Sequence, residues 1–89
     1  MKQIWKYFLE VTEKQEIVMP AGAEFLTVQV QRDIPYIWVC VNPDNELETR
    51  QIRIHGTGHN INDCENFKYI STFQMHDGSL IFHAFEDIQ

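Results

Sequence analysis

The chain has 89 residues, a formal charge of −6 from thirteen acidic and seven basic side chains, and 44% hydrophobic residues. That length makes one β-rich domain, residues 1–89, with a modest core that gains from oligomerisation. The acidic balance argues against binding duplex DNA, which needs a basic face, and leaves room for a small anion held in a local basic pocket. No run approaches the roughly 20 apolar residues of a membrane span. Met1-Lys2-Gln3-Ile4-Trp5-Lys6 has a charge inside what would be the apolar part of a signal peptide. The expected setting is a reducing cytoplasm, with Cys40 and Cys64 as free thiols and Cys40 a buried small hydrophobe.

Ile4 to Val11 is the first predicted strand. Trp5, Tyr7, Leu9 and Val11 alternate with Lys6 and Glu10, while Ile4 and Phe8 spoil a polar second face. Thr12 to Gln15 reads as a turn and Glu16 to Met19 as a short strand stopped by Pro20. Phe25 to Gln31 has the cleanest alternation, with Leu26, Val28 and Val30 on one face. Arg32 to Pro35 reads as a hairpin link. Tyr36 to Val41 is apolar on both faces, so it is read as central or covered by another subunit. The Asn42 to Glu48 stretch is a polar loop. Arg50 to His55 resumes alternation, with Ile52 and Ile54 inward and Gln51, Arg53 and His55 outward.

Asn60 to Asn66 is aperiodic, with room for one helical turn. Tyr69 to Met75 and Leu80 to Phe85 form the last pair of strands, and Asp77-Gly78 between them signals a two-residue hairpin. Glu86 to Gln89 reads as a frayed end. No stretch repeats apolar positions at helical spacing. The expected fold is all-β: six or seven short antiparallel strands in a compact sandwich or small barrel, with little or no helix.

The densest group of functional side chains is Arg53-Ile54-His55-Gly56-Thr57-Gly58-His59. Its glycines permit positive φ and close approach of a ligand, Thr57 offers a hydroxyl, and the histidines offer ring nitrogens. The turn lacks the lysine and helix of a Walker loop and the third glycine of a dinucleotide fingerprint. Its bland alternative is a glycine-bearing turn that closes a strand.

The ligand-binding set read from the residues is Arg53, His55, Gly56, Thr57, Gly58 and His59, with Trp38, Tyr36 or Phe82 as stacking partners for a base. Arg53, lying outward, is expected to be replaceable without harm to folding. The four histidines and two cysteines lack the spacing of a metal site. Ser71 and Ser79 are in no nucleophile motif, and Cys64 lies between Asp63 and Glu65, which makes its thiol less reactive. No catalytic residue, metal or cofactor is assigned.

Ile4-Trp5-Lys6-Tyr7, Met19-Pro20-Ala21-Gly22-Ala23, Val28-Gln29-Val30-Gln31, Ile54 to His59, Ser71-Thr72-Phe73-Gln74 and Gly78 to Glu86 occur in this order. Together they resemble a family of short proteins of unknown function in tailed phages and prophages, almost end to end. That resemblance implies a phage product acting inside a bacterial cell. In size and in lacking a catalytic set, the chain is similar to oligomeric sponges that sequester the cyclic-nucleotide signals of CBASS-type immunity. The implied function is capture of a cyclic di- or trinucleotide, without turnover, by a homo-oligomer. The alternative from another class is an adaptor or inhibitor that binds a host protein through a β edge or aromatic patch.

Overall fold

The computed structural model describes residues 1–62 and 64–88. Asp63, one flank of the acidic surroundings read for Cys64, and Gln89, the last residue of the end read as frayed, lie outside the described residues. Among the described residues there are seven strands: β1 (Gln3–Phe8), β2 (Lys14–Pro20), β3 (Glu24–Gln31), β4 (Ile34–Val41), β5 (Leu47–Gly56), β6 (Phe67–Met75) and β7 (Leu80–Asp87). A single 3-10 turn, Cys64–Asn66, precedes β6.

The strands form two antiparallel sheets. Sheet A has the order β1-β4-β3 and sheet B the order β2-β5-β7-β6. The expectation of a small all-β sandwich holds. Alternation dictates the packing: Ile37, Val39 and Val41 of β4 and Ile52 and Ile54 of β5 point between the sheets, joined by Leu9, Met19, Val28 and Phe73. These side chains are almost fully removed from water, and burial of each contributes on the order of 1.5–3 kcal/mol.

On one side β3 and β6 close the sandwich, with the Thr27 and Ser71 hydroxyls 3.3 Å apart. At one end an ion pair between the part-buried Arg50 and the buried Glu86 fastens the layers. Arg50 on β5 donates to Glu86 of β7 (Nη2 to Oε1, 3.0 Å) and to the Ala23 carbonyl ahead of β3 (3.0 Å), and it lies over the Phe25 ring. The hydrogen bond to Glu86 comes first among the causes that push the Arg50 guanidinium above its ordinary pKa.

Several sequence readings are corrected. Glu86 and Asp87 do not fray: β7 runs through Asp87, because both are buried and paired with arginines. β1 stops at Phe8, and the chain then crosses to the other sheet. β2 already begins at Lys14, where a turn was read, and β5 begins at Leu47. β4 starts at Ile34 and runs through Pro35, whose carbonyl accepts from Leu9 just past the end of β1, so the proline sits where that pairing gives out.

A bulge between Phe25 and Thr27 breaks the alternation of β3, leaving Leu26 exposed instead of inward with Val28. Arg32 and Asp33 form the two-residue β3–β4 turn, both at positive φ, as a type I′ hairpin requires. The β6–β7 loop spans four residues, His76 to Ser79, not two, and is clasped to the other turn by the His76 N–H donating to Asp33 Oδ1 (2.8 Å). Cys40 is half-buried on the outer face of sheet A, and neither cysteine is bridged.

Candidate functional site

The outer face of sheet B brings polar and aromatic side chains together. The register places Lys14 beside Arg53, Arg53 beside Phe85, and His55 beside His83. On the next strand Tyr69 faces Phe85, Thr72 faces His83, and Phe67 faces Asp87. β5 and β6 both run antiparallel to β7, so they are parallel to each other. The connection between them must therefore return the length of the sheet, and Asn62 on it reaches the wall of a cavity with Arg53 and His55.

That cavity encloses about 200 Å³ and is lined by Glu13, Lys14, Arg53, His55, Asn62, Phe67 and Asp87. Arg53 donates to Asp87 (2.8 Å) and its guanidinium lies 5.3 Å from the centre of the Phe67 ring. A guanidinium carries five N–H donors, so this one contact leaves others for a ligand. His55 stacks on Phe67 (6.0 Å between centroids, 24° between planes) and sits beside Phe85. Its side chain is buried, and its Nε2 has no hydrogen-bond partner among the described residues. A buried polar nitrogen without a partner costs about 1–3 kcal/mol. Phenylalanine would fill the same aromatic stack without that cost, so the imidazole is the feature that packing leaves unexplained.

Next to the cavity runs a chain of hydrogen bonds. The Thr57 hydroxyl meets His83 Nε2 at 2.7 Å, His83 Nδ1 meets the Thr72 hydroxyl at 2.9 Å, and Thr72 meets the Tyr69 hydroxyl at 2.7 Å. Both ring nitrogens of His83 are thus engaged by neutral hydroxyls. The chain holds no carboxylate to orient the imidazole as a base for Thr57.

The glycine turn is more internally satisfied than its composition suggests. The Thr57 N–H donates to Ile81 O (3.2 Å) and the His59 N–H to Gly56 O (3.1 Å), so neither is available to a phosphate. Gly58 holds φ +85° with open space around it. Gly56 lies under the His59 ring, where an added Cβ would come within 2.8 Å of Cε1. Arg53 and His55 therefore converge on one cavity, and Thr57 joins the adjoining hydrogen-bond chain. Gly56 and His59 line a second hollow at the strand end with Leu80 and Ile81.

Tyr36 and Trp38 do not join them. They lie on the outer face of sheet A, with Lys6 Nζ 4.3 Å and 5.5 Å from their ring centres. Phe82 lines that second hollow with Gly56, Thr57 and His59, and packs against Phe73 at the core margin. Arg53 is also less dispensable than its outward position implied, because it pairs with Asp87, whose side chain is only 5% exposed.

Lys14, Phe67, His83 and Asp87 escaped the sequence reading. Lys14 was taken for a turn and Asp87 for a loose end. Following the period of two from Ile81 through His83 and Phe85 to Asp87 finds three of this face's residues. Among the described residues no three metal-ligating side chains come together, and no helix is long and apolar enough to cross a membrane.

The fold and this face define a seven-stranded antiparallel sandwich domain with a small cation- and imidazole-lined cavity. The chain belongs to the family described as domain of unknown function DUF7352, which matches residues 1–89. No curated protein and no solved structure matches it.

Proposed function

We propose that this domain binds a small anionic ligand of the cyclic-nucleotide class and sequesters it without turnover. The phage resemblance supplies the setting: a homo-oligomeric sponge against CBASS-type signalling in the bacterial cytoplasm. The observation that carries the binding reading is the unpartnered His55 imidazole beside the Arg53 guanidinium, on an aromatic wall. The cavity is smaller than the roughly 300–1,000 Å³ of a whole-ligand pocket, so it suits one phosphoryl group with part of its sugar. Arg53 would meet the phosphoryl oxygens and His55 would supply a hydrogen bond in a site partly closed to water.

Titration calorimetry against a panel of cyclic di- and trinucleotides tests this, followed by heat release and mass analysis of the nucleotide. Stoichiometric binding with intact recovery supports it. No binding across the panel, or recovery of an altered nucleotide, refutes it.

A second reading, capture of a host protein, is favoured by the outer face of sheet A. Ile4 and Phe8 are 63% and 58% exposed there beside Tyr36 and Trp38. Loss of a co-purifying host protein on Phe8→Ser would support that reading over the first.

A further inference from the structure

Sheet B ends in β2, and its register fixes which backbone groups face outward. The Ile54 N–H donates to Glu13 O, so the odd-numbered residues of this segment turn their N–H and C=O toward β5. Lys14, Glu16 and Val18 therefore turn theirs to the open edge. The Thr12 hydroxyl reaches the Lys14 carbonyl (2.9 Å), but among the described residues no strand pairs along that edge. We propose that a second copy of the chain does, β2 running antiparallel to β2 about a two-fold axis at Gln15.

Charge complementarity selects this occupant and this register. Lys14 and Glu16 are both exposed and project from the same face, two residues apart. With the axis at Gln15, each Lys14 stands opposite Glu16 of the second copy, giving two opposite-charge pairs. Opposite charges facing across strands are favourable and like charges are not. Moving the axis to Glu16 sets carboxylate against carboxylate. The other open edge, β1, fails the same test: the two-fold register that matches Ile4 with Phe8 opposes Lys6 to Lys6. β3 and β6 lie against each other and offer no comparable edge.

Pairing at β2 joins two four-stranded sheets into one of eight strands and removes an unprotected edge. Val18, more than half exposed, comes to lie opposite Thr12 of the second copy. Arg53 and His55 keep their places, so this inference does not rest on the ligand reading.

Light scattering on the full chain at micromolar concentration tests it. The expected mass is twice 10.6 kDa. Lys14→Glu and Glu16→Lys should each weaken the dimer roughly tenfold or more. The double variant should restore it, and so should mixing the two single variants, which are complementary to each other. Circular dichroism should show all of them folded. A monomeric wild type, or a dimer indifferent to both single swaps, overturns the proposal. Retention of a host peptide at this edge in place of a second copy would also overturn it.

Discussion

Replacing Arg50 with Met tests what holds the two layers together. Met keeps an unbranched stem over the Phe25 ring but removes every donor. Glu86, with its side chain 11% exposed, then loses its arginine, and the Ala23 carbonyl loses a bond. Breaking one partner of a buried pair costs about 3–5 kcal/mol, because an uncompensated charge stays behind. Domains of this size have about 5–15 kcal/mol of stability in all. The loss translates into a fall in Tm of roughly 12–40 °C at 4–8 °C per kcal/mol. Thermal and urea unfolding followed by circular dichroism measure it. Arg50→Met/Glu86→Leu should recover most of the loss, since a well-packed apolar pair often replaces a buried ion pair at little cost. A loss below about 1 kcal/mol, typical of exposed pairs, would refute the reasoning. So would a double variant less stable than the single one.

Other outcomes follow from the same geometry. Burial raises the pKa of the Tyr7 phenol. The folded state therefore holds its proton more tightly than the unfolded chain. The stability this contributes is complete below about pH 10 and is lost as pH rises through the higher folded value. Tyr7→Phe should flatten that alkaline decline in pH-dependent melting; an unchanged profile assigns the decline elsewhere. Gly58→Ala should lower stability by about 1 kcal/mol through positive φ alone, because its surroundings are open. A loss several times larger would mean that the turn is packed more tightly than its geometry shows.

The fold was legible in the sequence wherever one rule governed. Period-two alternation found β4 and the inward face of β5, because those side chains have a single core to fill. Alternation failed at Leu26, where a bulge shifts the pairing, and at Glu86 and Asp87. There, acidic residues near a chain end look solvent-bound until Arg50 and Arg53 appear from another strand. The site was legible only within β5. Arg53 and His55 lie in one strand, but Phe67, His83 and Asp87 reach them through strand order β5-β7-β6, a long-range pairing that local spacing does not encode. Trp38 and Tyr36 show the reverse. Their composition suggests a ligand platform, yet sheet assignment puts them on the opposite face of the sandwich.

The most direct test of the proposed binding site is His55→Phe, with melting and nucleotide titration measured on the same preparations. Phe keeps the stack on Phe67 and the tilted contact with Phe85, and removes the buried nitrogen that lacks a partner among the described residues. The account predicts unchanged or higher stability, by up to about 1–2 kcal/mol, with affinity for any cyclic nucleotide that the unaltered protein binds reduced at least roughly tenfold, the scale of one lost hydrogen bond to a charged group. Unchanged affinity in a folded His55→Phe protein would contradict it.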